Sequence, residues 1–248
     1  MLLRNCLPAQ HPTMIGRIER QLAQSSMPEI VRLRYAQIPE IHRWAKLDAF
    51  DPVQCSREKE IAQRFLDHLD RLDDVEEDGN LGFEAAINAP QSSKRGLVLT
   101  GNPGTGKTSL AVATLREWCR RTAGKRTCLF LEFSNLIEEI KRGYSDDEQS
   151  IDLNAIAEGN EFIVLDDLGQ VRATEWVQSQ YYSLINALYI HRCRLIITTN
   201  VPEDQFDKTL SPAILSRLHG MCEFASMDGR DRRLSTGIEK QRSSVGLT

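Results

Sequence analysis

Eight consecutive residues carry the clearest chemistry in the chain: Gly101, Asn102, Pro103, Gly104, Thr105, Gly106, Lys107 and Thr108, in the pattern G-x-x-x-x-G-K-[ST]. Glycines at these positions allow backbone angles that turn successive N–H groups inward around a phosphate, where larger side chains would block its approach. A helix starting directly behind the loop adds its positive end. Lys107 brings a point charge toward the β- and γ-phosphates, and the Thr108 hydroxyl is a ligand for Mg²⁺. A second acidic half is expected at the tip of a neighbouring strand, and FIVLDD at 162–167 supplies it. Asp166 is assigned to hold Mg²⁺ through water, because a hard cation that keeps its hydration takes only one or two carboxylates. Asp167 sits where a base would orient an attacking water. Asn200 ends the run LIITTN, where a polar side chain reaches the crevice at the strand ends and could hold water near the γ-phosphate.

Such a site needs elements to hold it, and from residue 96 onward the sequence provides them. Strands are predicted at 96–100 (GLVLT), 127–133 (TCLFLEF), 161–167 (EFIVLDD) and 194–200 (RLIITTN). Helices are predicted at 108–121, at 134–143 with Gly143 as the terminator, and at 174–191, where Val177, Tyr181, Leu184, Ile185 and Leu188 share a face. Continuous apolar, β-rich runs separated by helices imply an α/β fold: a doubly wound parallel sheet with helices on both faces.

Upstream, Ser56 is a plausible N-cap for a helix over 56–72 that presents Ile61, Phe65, Leu66, Leu69 and Leu72 on one face. The stretch DDVEEDGN at 73–80 is expected to be a loop, as is the end of 84–96. Residues 12–37 suggest two short helices with Ile15, Ile18 and Leu22 in register, broken near Met27 and Pro28. So short a stripe buries little alone and is expected to dock on something.

Composition excludes several classes. The 248 residues carry 31 basic and 35 acidic side chains, a net of −4, with 41% apolar and 27% charged residues. That is ordinary globular usage, not a collagen-like, disordered or nucleic-acid-coating chain. Charge is uneven: residues 1–47 are basic (+4), 48–90 acidic (−8) and 229–248 basic (+3). Six scattered cysteines form no C-x-x-C pair, and five histidines form no i, i+4 pair, so neither a zinc site nor a disulfide framework is indicated. No membrane span and no secretory leader are apparent, so a cytoplasmic location is expected.

Taken as an ordered set, GNPGTGKTSLA (101–111), VLDDLG (164–169), ITTN (197–200), ILSRL (214–218) and GRDRR (229–233) resemble the AAA+ ATPases of the DnaC/IstB group, the helicase loaders and transposition helpers. IPEIHRWAKLDAFD at 38–51 resembles the entry segment of that group, so the likeness spans residues 38–233. The resemblance implies that residues 101–108 are the Walker A loop, with Ser109 beside it on the nucleotide, and that Asp166 and Asp167 are the Walker B pair. It implies that Asn200 is sensor 1 and that Arg217 is the arginine finger for a neighbouring subunit's ATP. Arg233 would be the sensor 2 arginine, with Arg230 and Arg232 as competitors. A guanidinium suits both roles, being always charged and forked for phosphate oxygens. Many AAA+ proteins have Glu where Asp167 stands, one methylene longer, which points to slow, partner-stimulated hydrolysis. Only a short stretch follows Arg217, so a reduced C-terminal lid is expected.

The expected organisation is a helical arm at 1–40, a helix and acidic loop at 41–96, an ATPase core at 97–233 and a basic tail at 234–248. ATP and Mg²⁺ are the expected ligands. The leading functional expectation is an ATP-hydrolysing, self-associating loader of a ring-shaped replicative helicase. The competing expectations are a transposition helper that sits on DNA and recruits a transposase, a nucleotide-switched adaptor, and a small-molecule P-loop kinase. The kinase lacks support, since the 134–158 region is acidic where such enzymes need an arginine-rich lid. Single-stranded DNA contact through Lys141, Arg142, Tyr144 or Trp118 has only sparse residues behind it.

Overall fold

Alternation within the short apolar runs decides which side chain enters which layer. In the computed structural model, which describes residues 37–50, 55–77, 94–123, 126–145, 151–171, 174–227, 229 and 231, the strands are β1 (Gly96–Thr100), β2 (Cys128–Glu132), β3 (Phe162–Asp166), β4 (Arg194–Thr199) and β5 (Cys222–Ser226). They form one parallel sheet in the order β2-β3-β4-β1-β5. Parallel strands need crossovers and coverage on both faces. The helices supplying them are α1 (Ser56–Glu77), α2 (Lys107–Arg121), α3 (Phe133–Ser145), α4 (Leu153–Gly159), α5 (Glu175–Ile190), α6 (Phe206–Thr209) and α7 (Pro212–Met221).

Two apolar clusters result, one on each face. Val98, Leu129, Leu131, Ile163, Leu165, Leu195 and Ile197 pack with α3, α4, α5 and α7. Their strand neighbours Leu97, Leu99, Phe130, Phe162, Val164 and Ile196 pack with α1, α2 and the entry segment residues Ile38, Leu47 and Phe50. The period-2 side-chain direction of a strand produces this division directly. α2 is wrapped on most sides, and Trp118 lies edge-on to Phe162 with centroids 5.1 Å apart. Arg116 donates to the carbonyls of Arg43 (2.6 Å) and Ala45 (2.9 Å), pinning the entry segment along α2. Arg121 bonds Asp67, Asp70 and Glu117, joining α1 to α2, though such partly exposed pairs contribute only about 0–1 kcal/mol.

The sheet and the shared faces of α1 and α5 match expectation, with corrections at the edges. α1 runs to Glu77, so 73–77 is helix and not loop. α3 continues through Gly143 to Ser145, so Gly143 does not terminate it. β3 stops at Asp166, one residue before the expected end. β5 and the helices α4, α6 and α7 carry no alternating or long apolar signal and were not anticipated. Of the helical stretch expected at 12–37 only Gln37 is described, and it is a turn residue with φ of 60°, not helix. Residues 12–36, the expected loops at 78–80 and 84–93, the Ser56 cap and the basic tail lie outside the described residues and side chains. No described helix is long and apolar enough to cross a membrane.

Candidate nucleotide site

The phosphate loop leaves β1 and enters α2, and its backbone is where glycine is needed. Gly101, Gly104 and Gly106 have φ of 143°, 77° and 97°, in the half of conformational space that other residues rarely occupy. Close approach is the second reason. A Cβ on Gly101 would collide with the Met227 carbonyl, and one on Gly104 with the Asp231 carboxylate. The segment after β5 therefore lies against the loop, held also by the Met227 N–H donating to the Thr100 carbonyl at 2.7 Å. Thr105 closes the turn by donating to the Asn102 carbonyl at 3.0 Å. Pro103 sits at the exposed crest.

Lys107 is the hub. Its ammonium is buried and donates to the carbonyls of Gly101 and Asn102 and to Oδ1 of Asn200, each at 2.8 Å. The Asn200 amide then donates to Oδ1 of Asp167 at 2.9 Å. Thr108 donates to Oδ1 of Asp166 at 2.8 Å. The tips of β3 and β4 are thus tied to the loop after β1, and the expected set 101–108, Asp166, Asp167 and Asn200 is brought together in one network.

The two carboxylates differ in setting. Burial raises the Asp166 carboxyl above its ordinary value, against hydrogen bonds from Thr198 (2.6 Å) and Thr108 that favour the charged form. Asp167 is also raised, by burial first and by the neighbouring Asp166 charge second. Its φ of 64° is left-handed, a conformation that Asp tolerates better than most residues, and its N–H donates to the Thr198 hydroxyl at 3.0 Å. That turn separates the two acids in direction. The donor set fits a hard divalent cation: a hydroxyl and a half-buried carboxylate side by side, both oxygen ligands, with the acid's charge disfavoured by burial. Thr108 and Asp166 would hold it.

Thr198 and His42 escaped sequence reasoning. Thr198 serves both acids from the next strand, one step beyond the Leu165–Ile197 register pair. His42 in the entry segment lies 3.5 Å from the Ser109 hydroxyl, beside the first turn of α2, and its charge favours ionised Asp166. Only the strand register reveals the first, and only the docking of residues 37–50 reveals the second. Arg217, on α7, is not among the loop's hydrogen-bonding partners. It bonds Asn186 and Tyr182 of α5 and the carbonyl of Ala213. Arg230, Arg232 and Arg233 lie outside the described residues.

A model of the family described as IstB-like ATP binding protein matches residues 86–240. The uncharacterized protein YqaM of Bacillus subtilis (strain 168) is 28% identical over 131 residues, 51% of this chain. The chain spans 40% of that relative's length. Among solved structures, the DnaC helicase loader superposes with a TM-score of 0.59 at 24% identity, covering 77% of this chain and 100% of that one. DnaI gives 0.55 at 20% identity, covering 77% and 95%. AMPPCP-bound DnaA from Aquifex aeolicus gives 0.52 at 17% identity, covering 84% and 57%. At these identities the likeness is one of fold.

Proposed function

The chain belongs to the IstB-like ATP binding proteins, and from that premise we propose that it is an ATPase that associates with copies of itself and loads a ring-shaped replicative DNA helicase. The observation that carries the nucleotide part is the Lys107–Asn200–Asp167 chain of hydrogen bonds, which joins a phosphate-binding cation to the group that would accept a proton from water. Residues 101–109 hold the triphosphate. Magnesium, when bound, supplies positive charge against the β- and γ-phosphate oxygens. Asp167 takes the proton of the attacking water, with Asn200 orienting both. The Lys107 ammonium stands ready for the developing charge. Arg217 serves the nucleotide of an adjoining copy, and one of Arg230, Arg232 and Arg233 serves as sensor 2. Residues 1–40 form the arm that engages the helicase, and 97–233 form the ATPase core.

Lys107→Ala is expected to weaken ATP binding about 10–100-fold, the worth of a charged hydrogen-bonding group. Asp167→Asn is expected to keep that binding and lose turnover by about 10²–10⁴. Titration with a fluorescent ATP analogue and phosphate release measure the two. Unchanged affinity in Lys107→Ala overturns the site. The loader role is tested by native mass measurement of the protein mixed with candidate ring helicases, with and without ATP. An ATP-dependent complex that is lost on deleting residues 12–37 is expected, and a complex indifferent to that deletion overturns the arm assignment. The family description favours one second reading, a transposition helper. In that case the ATP-dependent partner is a transposase on DNA.

A further inference from the structure

The guanidinium of Arg217 is fastened at every nitrogen. Nε donates to Oδ1 of Asn186 at 2.9 Å, Nη1 to the carbonyl of Ala213 at 3.0 Å and Nη2 to the Tyr182 hydroxyl at 3.0 Å. The group also lies over the Tyr182 ring, 4.7 Å from its centroid. Two features distinguish this from an ordinary brace between helices. All three acceptors are neutral, so the positive charge is oriented without being cancelled. A guanidinium has five N–H groups, so three bonds leave one on each terminal nitrogen for two oxygens of an incoming anion.

The surroundings agree. Tyr182, Asn186 and Tyr189 follow one another at four and three residues on α5, one helical face. Tyr182, Tyr189 and Ile190 are 38%, 50% and 62% exposed, unusual for large apolar side chains beside a ready cation. A surface of this kind suits contact with another macromolecule that brings a phosphate to its centre.

We propose that Tyr182 and Asn186 are positioning residues that hold Arg217 in the orientation in which it meets the triphosphate bound by a second copy of this chain. The inference rests on the reading that Arg217 acts across the subunit boundary. Tyr182 supports the flat face, Asn186 fixes rotation through Nε, and the outward N–H pair is left for phosphate. Preorganisation of this sort matters because small misplacement of a charge-stabilising group costs rate steeply.

The test mixes two variants. Donor chains carry Lys107→Ala, so they offer Arg217 and, at ATP concentrations well below their weakened affinity, leave their own sites largely empty. Acceptor chains carry Arg217→Ala, so they hold nucleotide and lack the guanidinium. Turnover restored on mixing reports Arg217 acting between copies. Adding Asn186→Ala to the donor is expected to lower the restored kcat about tenfold with KM for ATP unchanged. The same change in the acceptor, whose Arg217 is already absent, is expected to leave it as it was. Asn186→Asp separates positioning from bracing. A carboxylate there holds Arg217 more firmly and raises Tm, yet it cancels the charge, so the restored turnover falls as well. A donor Asn186→Asp that restores turnover fully overturns the proposal, as does an Asn186→Ala effect that is equal in donor and acceptor. Failure of the unmodified donor and acceptor to complement, with each still assembling by native mass, overturns the reading of Arg217 beneath it.

Discussion

Asp166 is half-buried and accepts from two hydroxyls, and burial makes its charge costly. Because its folded carboxyl takes up a proton at higher pH than the usual 3.8, the folded state is penalised above that range and relieved as the pH falls through it. Asp166→Asn keeps the oxygen that accepts from Thr108 and Thr198 and removes the charge. In the absence of nucleotide its Tm at neutral pH is expected to rise by about 2–4 °C, what roughly 1 kcal/mol gives in a chain of this size. The gain closes as the pH is lowered through the carboxylate range, and Mg-ATP no longer adds stability. Calorimetry with and without Mg-ATP measures all three, and a lower Tm for the variant would refute the account. At this scale the sequence was legible where spacing alone imposes chemistry: the loop, Asp166, Asp167 and Asn200 all meet. It was silent where partners come from strand register or helix docking. Nothing in ITTN says that Thr198 serves two acids, and nothing in the run 174–191 says that Tyr182 and Asn186 grip an arginine on another helix.

Among the elements, α2 carries the phosphate loop at one end and Trp118 near the other. The indole is fully buried against Phe162, and its N–H finds no acceptor among the described residues. Trp118→Ala is expected to cost about 3–5 kcal/mol. Trp118→Phe is expected to cost far less, since the orphaned donor leaves with the indole and offsets part of the lost area. Denaturant midpoints of the two variants decide this, and equal losses would mean that the N–H is in fact satisfied. The long apolar faces of α1 and α5 were plain from their 3.6 spacing. β5 was not, because it is an edge strand: Cys222 is buried, while Glu223, Phe224, Ala225 and Ser226 are only half-covered or exposed. An edge strand covered so sparsely lacks the continuous apolar run that marked β1, β3 and β4. α4 is seven residues long and starts from Asp152, which accepts from the N–H groups of Asn154 and Ala155. The cap is visible in hindsight, but seven residues are too few for periodicity to announce.

Across the whole molecule, the strand order places β1 between β4 and β5, and the polypeptide after β5 rests on Gly101 and Gly104. A chain ended after Met221 keeps every residue of the phosphate loop and both acids, yet it is expected to bind no nucleotide and to show no cooperative melt. Circular dichroism and analogue titration check this, and retained binding would show that β5 is dispensable. The same arrangement bears on how the protein is made. Residues 96–100 leave the ribosome well before both strands that flank them, at 194–199 and 222–226. Until those arrive, the nascent chain carries a bare apolar strand with two open edges, the sort of surface that invites chaperones or aggregation. Both flanking strands must therefore be translated before a nucleotide can be captured, and a ribosome stalled anywhere before residue 222 displays the motif without its function.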